Sequence, residues 1–114
     1  MHEVSLAISL LQSAEEVCRT HGYKSIKLIK VRLGRASGVH ADSLFFALET
    51  LKKGTLAEKA DFILDLIPLG GSCQNCGRNF ETEEKYIFYC PSCNSSSISI
   101  CQGKELQITE IEVV

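Results

Sequence analysis

Four of the six cysteines stand in two closely spaced pairs, Cys73-Gln-Asn-Cys76 and Cys90-Pro-Ser-Cys93. Each pair can bend into a knuckle that points two sulfurs at one spot, and two facing knuckles make a tetrahedral four-thiolate site. Such a site suits Zn²⁺, whose filled d shell imposes no directional preference. Gly77 and Asn94 follow the pairs and tolerate the left-handed backbone that a knuckle often needs. The spacing therefore predicts a structural zinc ion with four ligands, Cys73, Cys76, Cys90 and Cys93.

Two disulfides are the competing interpretation of these cysteines. They would require an oxidising compartment, and the N-terminus carries no basic segment ahead of an apolar core that would mark a secretory signal. The expected compartment is the cytoplasm, where thiols stay reduced. The other two cysteines, Cys18 and Cys101, are then expected to be free and packed in the core.

A weaker metal-binding pattern opens the chain with Met1-His2-Glu3. The Met1 amine, the deprotonated backbone nitrogen of His2 and one imidazole nitrogen of His2 can close two fused chelate rings on one ion. Three nitrogens in a plane suit Ni²⁺ or Cu²⁺ and do not suit Mg²⁺ or Ca²⁺. The fourth position stays open for the Glu3 backbone nitrogen or another ligand. The competing interpretation is an exposed histidine near a frayed chain end.

Composition limits the class of protein. The chain has 114 residues, of which 45% are hydrophobic and 23% charged, as in ordinary globular proteins. Its formal net charge of −2 argues against a dedicated nucleic-acid binder, and no apolar run approaches the length of a membrane span. The sequence shows no phosphate loop and no paired nucleophile and base, so we predict no catalytic residue and no enzymatic activity.

Hydrophobic periodicity predicts an α+β fold, in which two helices cover a three-stranded sheet. The predicted helices span residues 2–21 and 40–53, and the predicted strands span residues 25–33, 61–68 and 104–113. The cysteine window lies between the last two strands and is expected to hold a short strand at 86–89. We therefore predict a main α/β domain of residues 1–69 and 102–114, which carries the Met1-His2-Glu3 segment. A zinc-ribbon-like module of residues 70–101 is inserted into it.

Several segments taken together resemble the HypA/HybF family of hydrogenase maturation factors. They are the Met1-His2-Glu3 start, residues 31–39 (Val-Arg-Leu-Gly-Arg-Ala-Ser-Gly-Val), the four-cysteine window and the closing residues 103–112. The resemblance covers the whole chain. It implies a metallochaperone that delivers nickel to the large subunit of [NiFe]-hydrogenase and, in some organisms, to urease with its accessory proteins. It also implies cooperation with the GTPase HypB.

The resemblance also implies the ligands. Nickel is expected at Met1, His2 and the Glu3 backbone, and structural zinc at the four paired cysteines. His40 stands where the family more often has an acid that can help the nickel site. A histidine there would add a neutral nitrogen donor, and nickel binding through it would weaken toward acid pH. No membrane or nucleic-acid partner is expected, and both a monomer and a homodimer remain open.

A zinc-ribbon module that binds nucleic acid or another protein is the alternative function. It explains the cysteines but leaves the Met-His-Glu start without a role. The basic stripe that nucleic-acid binding needs is missing, because Lys85 and Arg78 are offset by three neighbouring carboxylates, those of Glu81, Glu83 and Glu84.

Overall fold

A computed structural model describes residues 2–114 of the chain. The elements of that part are α1 (His2–Thr20), β1 (Ile26–Gly34), α2 (Ala41–Leu51), β2 (Asp61–Ile67), β3 (Leu69–Cys73), β4 (Asn79–Thr82), β5 (Ile98–Gln102) and β6 (Leu106–Val113). The chain divides into two compact units. The helical unit holds residues up to Arg32, Val39–Asp65 and Gln107–Val114, and the cysteine unit holds Leu33–Gly38 and Leu66–Leu106.

Helix α1 forms because small and apolar side chains recur on one face at helical spacing. Ala7, Leu11, Ala14 and Cys18 are all buried along this stripe. Glu3 stands in the first turn, where a negative charge favours the helix dipole. The predicted helix is confirmed, and it ends one residue earlier than expected.

Helix α2 is shorter than the predicted range but buries the predicted face, with Leu44, Ala47 and Leu48 inside. It begins after His40, which acts as its N-cap. The His40 Nδ1 atom accepts the backbone N–H of Ser43 over 3.2 Å and so satisfies one donor of the first turn. Helices α1 and α2 contact each other.

Strand β1 is the centre of a three-stranded sheet with the order β2-β1-β6. The buried residues Ile26 and Ile29 lie three positions apart, so the strand buries side chains on both faces. The predicted α+β fold with two helices and this sheet is confirmed. No helix among residues 2–114 is long and apolar enough to cross a membrane.

A second three-stranded sheet, with the order β4-β3-β5, builds the cysteine unit. Strand β3 pairs antiparallel with both neighbours and places Gly71 opposite Phe80 and Ile100. A Cβ atom at Gly71 would lie 2.8 Å from Ile98 Cγ2, so glycine allows this close pairing. The strand predicted at 86–89 is wrong, because these residues are irregular and the strands of the unit lie elsewhere.

The segment that follows β1 also belongs to the cysteine unit. The backbone N–H of Gly34 donates to the Glu105 carbonyl over 2.7 Å, and that of Ala36 donates to the Gly103 carbonyl over 2.8 Å. A Cβ atom at Gly34 would lie 2.1 Å from the Gly103 oxygen. Any side chain at Gly34 would therefore push these two backbone segments apart.

Candidate metal centre

The two Cys-x-x-Cys pairs bring their four sulfurs together. The Sγ atoms of Cys73, Cys76, Cys90 and Cys93 all lie within 4.8 Å of one another. The contacts between the two pairs are short, with 3.5 Å from Cys73 to Cys93 and 3.6 Å from Cys76 to Cys90. A tetrahedral Zn²⁺ with Zn–S bonds of about 2.3 Å has sulfurs about 3.8 Å apart. The separations fit such an ion and are far longer than a disulfide bond of about 2.0 Å.

Both knuckles have the same backbone. The residue after each pair has a positive φ, +78° at Gly77 and 61° at Asn94, as the sequence predicted. The Gly77 N–H donates to the Cys73 carbonyl and the Asn94 N–H to the Cys90 carbonyl, each over 2.9 Å. Two equivalent turns therefore bring their four sulfurs together.

Backbone N–H groups also point at the sulfurs. The Cys76 N–H donates to Cys73 Sγ, and the Ser92 N–H donates to Cys90 Sγ, each over 3.4 Å. The bond from Cys76 favours the Cys73 thiolate and lowers the pKa of Cys73 to about 6, against the opposing effect of desolvation. Burial raises the pKa of Cys90, but the backbone N–H groups of Cys93 and Ser92 and the thiols of Cys76 and Cys93 together outweigh burial, so the pKa of Cys90 is lowered overall.

The pKa of Cys76 shifts in the opposite direction. The Arg78 N–H favours its thiolate, but the neighbouring Cys90 sulfur, desolvation and the remaining sulfurs together raise the pKa of Cys76 to about 11. Without a cation, the four thiols therefore cannot all ionise near neutral pH, because each thiolate opposes the next. A bound divalent cation supplies the positive charge that stabilises all four thiolates together.

Two polar side-chain contacts join the knuckles, and the spacing of the cysteines gave no sign of them. The Asn75 amide N–H donates to Cys93 Sγ over 3.5 Å. Arg78, just after the first knuckle, donates from its guanidinium to the Ser92 hydroxyl, inside the second Cys-x-x-Cys pair. Four thiolates and one divalent ion would give the site a net charge of about −2, which the positive charge of Arg78, held at Ser92, would partly offset.

The start of α1 meets the N-cap of α2. A carboxylate oxygen of Glu3 accepts the backbone N–H of His40 over 3.1 Å. This bond is the main cause that lowers the pKa of Glu3 below its ordinary range. The structure thus brings Glu3 and His40 together, whereas the sequence separates them by 37 positions. Met1, the predicted amine ligand, lies outside the described residues.

Helix geometry keeps the first backbone nitrogens out of the hydrogen-bond ladder of α1. The first four N–H groups of an α-helix have no carbonyl acceptor within the helix, and α1 begins at His2. Binding of a metal at the backbone nitrogens of His2 and Glu3 therefore need not break the hydrogen-bond ladder of α1. The His2 side chain belongs to an exposed residue.

The remaining two cysteines, Cys18 and Cys101, differ in burial. Cys18 is free and fully buried in α1, as predicted. Cys101 is free, as predicted, but its predicted packing in the core is wrong, because it is exposed on β5. Burial alternates little along strand β5, and most of its residues are exposed, so a cysteine in this strand does not have to face a core.

The fold and the cysteine cluster define a small α+β metal-binding protein whose Cys-x-x-Cys pairs form a closed four-sulfur site. The chain belongs to the HypA family, described as hydrogenase/urease nickel incorporation, metallochaperone, which it matches over residues 1–113. This confirms the resemblance that the sequence motifs indicated. Members of the family are metallochaperones, so the prediction that the chain is not an enzyme is also confirmed.

Relatives agree with this assignment, and solved structures share the fold. The chain is 36% identical to the hydrogenase maturation factor HypA of Aquifex aeolicus, over 99% of this chain and 97% of that protein. It is also 36% identical to HypA of Syntrophus aciditrophicus, over 99% of both chains. The solution structure of the Ni metallochaperone HypA from Helicobacter pylori has the same fold, with a TM-score of 0.70, 23% identity and coverage of 98% and 97%. A second solution structure of a HypA protein has a TM-score of 0.69 at 28% identity, covering 100% of this chain and 97% of that one.

Proposed function

We propose that this protein binds Ni²⁺ at its amino-terminal segment and delivers it to the large subunit of [NiFe]-hydrogenase, together with the GTPase HypB. The observation that carries the proposal is the family match over residues 1–113, whose description names nickel incorporation and a metallochaperone. Nickel is then the cargo, and the metal at the cysteine cluster is resident. Urease, with its accessory proteins, is a second candidate recipient, since the same description names it.

The resident metal is assigned as Zn²⁺, held by Cys73, Cys76, Cys90 and Cys93. Support comes from the four-sulfur donor set and from separations that fit a tetrahedral ion. Zn²⁺ supplies a cross-link between the two knuckles. With four thiolates its coordination shell is full, so it offers no open position to a substrate.

The nickel ligands are assigned as the Met1 amine, the backbone nitrogen and imidazole of His2, and the Glu3 backbone nitrogen. The chemistry of this donor set supports the assignment, because nitrogen-rich planar sites suit Ni²⁺. The Glu3 carboxylate, which accepts from His40, supports it by holding the segment at the N-cap of α2. The assignment requires Met1 to carry a free amine.

His40 is a further candidate nickel ligand, but its imidazole already caps α2. Its Nδ1 atom accepts the Ser43 N–H, so the neutral ring carries its proton on Nε2. Coordination of nickel through Nε2 therefore requires the proton to move to Nδ1 and the cap on α2 to be given up. The cap and the nickel bond compete for one imidazole.

A cytoplasmic setting fits free thiols, and no membrane or nucleic-acid partner is proposed. The protein acts as a monomer or a homodimer. Its acidic balance, with a formal net charge of −2, favours protein partners over phosphate backbones.

Titration of Ni²⁺ into zinc-loaded protein tests the nickel site. We expect one bound nickel in the unchanged chain and in a His21→Ala control, whose histidine contacts the Val17 carbonyl at the end of α1. His2→Ala and a chain with one glycine ahead of Met1 should bind nickel more than about tenfold weaker, since even the loss of second-shell partners costs metal sites that much. Unchanged affinity and stoichiometry in both variants would contradict the proposed site.

Delivery is tested separately. The nickel content of a purified precursor of the hydrogenase large subunit is measured after incubation with the nickel-loaded protein, HypB and GTP. We expect the precursor to gain nickel with the unchanged chain and not with His2→Ala. Equal transfer from both proteins would show that the amino-terminal nickel is not the nickel delivered.

A further inference from the structure

Three aromatic side chains stand in solvent just before the second knuckle. Tyr86, Phe88 and Tyr89 are 71%, 68% and 66% exposed, and they include two of the three tyrosines of the chain. Exposure of large rings costs free energy in proportion to the apolar area left in water. Exposed large apolar surface of this kind is typical of interaction sites.

The rings form one surface with neighbouring apolar side chains. The centroids of Tyr86 and Phe88 lie 6.2 Å apart with an angle of 29° between the ring planes. The surface lines a shallow cavity of about 270 Å³. We call it the aromatic patch and define it as Phe80, Tyr86, Ile87, Phe88, Tyr89 and Pro91.

The surroundings of the aromatic patch are acidic. Glu81 lies on the cavity wall, and Glu83 and Glu84 precede Tyr86, with Lys85 as the only cation between Phe80 and Pro91. Arg35 pairs with Glu83 over 3.5 Å, but the Glu83 side chain remains 80% exposed. The field over the rings therefore favours a positively charged occupant and opposes phosphate groups.

Strand β4 supplies a polar edge beside the rings. It lies at one side of the sheet β4-β3-β5, and its residues Phe80, Glu81 and Thr82 line the cavity. A strand at the side of a sheet has backbone groups that can pair with an extended chain. The aromatic patch thus combines ring faces, carboxylates and a strand edge.

We propose that the aromatic patch binds an extended, arginine-containing segment of a partner protein. Guanidinium groups stack on aromatic faces and pair with carboxylates, so an arginine side chain satisfies both features of the surface. The extended backbone of the segment pairs with β4. The inference does not depend on nickel delivery, because the aromatic patch and its carboxylates belong to the cysteine unit alone.

A peptide titration monitored by NMR tests the proposal on the zinc-loaded, full-length protein. The probe is a twelve-residue peptide that alternates arginine and proline, which keeps it extended. Two matched peptides replace every arginine with lysine, which keeps the charge, or with citrulline, which keeps the shape without the charge. We expect shift changes of the ring protons of Tyr86, Phe88 and Tyr89 with the arginine peptide. Its affinity should exceed that of the citrulline peptide by at least about tenfold and that of the lysine peptide by a smaller factor.

Protein variants locate the binding surface. The double variant Tyr86→Ser, Phe88→Ser should bind the arginine peptide at least about tenfold weaker. The control Phe46→Ser removes a ring that is 72% exposed on α2, in the helical unit, and should bind as the unchanged chain does. Zinc content is measured for each variant. If the double variant loses zinc, Glu81→Gln, at a residue of the cavity wall, replaces it and should weaken binding of the arginine peptide while leaving the rings in place.

Several outcomes would overturn the proposal. Equal affinity for the arginine and citrulline peptides would remove the role of charge, and shift changes confined to the helical unit would place binding elsewhere. Tighter binding of oligo(dT) or of vesicles that contain phosphatidylglycerol would assign the aromatic patch to nucleic acid or to membrane. Concentration-dependent self-association that Phe88→Ser abolishes would make a second copy of the chain the occupant. Loss of nickel binding in His2→Ala has no bearing on any of these results.

Discussion

At the scale of single residues, the metal centre depends on two positions that bind no metal. Gly77 and Asn94 hold equivalent places, each with a positive φ and each closing its knuckle through a hydrogen bond to the first cysteine of the pair. The left-handed conformation costs an ordinary L-residue about 1–2 kcal/mol, least for asparagine among residues with a side chain. The two knuckles thus use the two residue types that tolerate this conformation best.

Gly77→Ala should lower the free energy of unfolding of the zinc-loaded protein by about 1 kcal/mol. No heavy atom lies within 4 Å of a Cβ atom at Gly77, so the cost is backbone strain and not a clash. Gly77→Asn should cost less, because Asn94 already adopts this conformation in the other knuckle. Urea unfolding with a measurement of zinc content checks both, and equal losses in the two variants would show that the strain is not the cause.

His40 has two candidate roles, nickel ligand and N-cap, that a pair of substitutions separates. His40→Asn keeps a good N-cap side chain without the imidazole, and His40→Ala removes both. If the ring binds nickel, both variants lose nickel affinity. If it only caps α2, His40→Asn keeps the affinity, while His40→Ala loses about 1 kcal/mol of stability. Calorimetric nickel titration and urea unfolding of both variants distinguish the two roles.

At the scale of elements, α1 is fastened to the loop before β2 as well as to α2. The Glu15 carboxylate accepts the backbone N–H of Leu56 over 3.0 Å, and the Leu56 carbonyl accepts the Ile26 N–H at the start of β1 over 2.9 Å. Glu15 of α1 thereby accepts the hydrogen bond of a loop N–H, and Leu56, the residue that donates it, also bonds to the central strand β1. The contact joins three elements of the helical unit that are distant in sequence.

Glu15→Ala should lower the free energy of unfolding by about 1–3 kcal/mol, because the half-buried Leu56 N–H loses its acceptor. The control is Arg19→Ala, which removes only the ion pair with Glu15 at 3.3 Å. The Arg19 side chain is 63% exposed, so we expect less than about 0.5 kcal/mol. Chemical denaturation compares the two variants. An equal loss of stability in both variants would show that the stabilisation comes from the ion pair and not from the hydrogen bond to the loop N–H.

At the scale of the whole molecule, the two units are stabilised by different interactions. The helical unit has an apolar core from α1, α2 and the sheet around β1, including Leu11, Ile29 and Leu48. The cysteine unit buries only four of the apolar core side chains found among residues 2–114, those of Leu33, Leu69, Cys73 and Cys90. We expect a small unit with so little apolar core to depend for its stability on the metal proposed at its four cysteines.

Removal of zinc, by a chelator or by acid, should therefore loosen the cysteine unit and leave the helical unit folded. The pKa of Cys73, about 6, lies below the ordinary thiol range, so its thiolate favours the folded unit, and this contribution is lost as the pH falls through about 6. Amide exchange with and without metal is the measurement. We expect rapid exchange in β3 and β5 of the metal-free protein and continued protection in α1 and α2.

Proton release gives an independent check on the thiol chemistry. Cys76 has a pKa of about 11 in the metal-free cluster and is protonated at pH 7, so each ion that binds must displace at least that proton. Zinc added to metal-free protein in weak buffer should therefore acidify it. The absence of released protons would mean that Cys76 is not a ligand.

The sequence by itself determined the features that depend on local spacing. The intervals in Cys73-x-x-Cys76 and Cys90-x-x-Cys93, with Gly77 and Asn94 behind them, set the knuckles, because a turn of this size is closed by its own backbone. Apolar periodicity likewise placed α1, α2 and the strands β1, β2 and β6 to within a few residues.

Only the tertiary structure decided what depends on contacts between distant segments. The sheet β4-β3-β5 was not predicted, because Gly70 and Gly71 read as a break until β4 and β5 pair with them from both sides. The bond from His40 to Glu3 and the exposure of Tyr86, Phe88 and Tyr89 were also hidden. Periodicity reports which side chains could share a face, whereas burial and pairing depend on which partner segment arrives there.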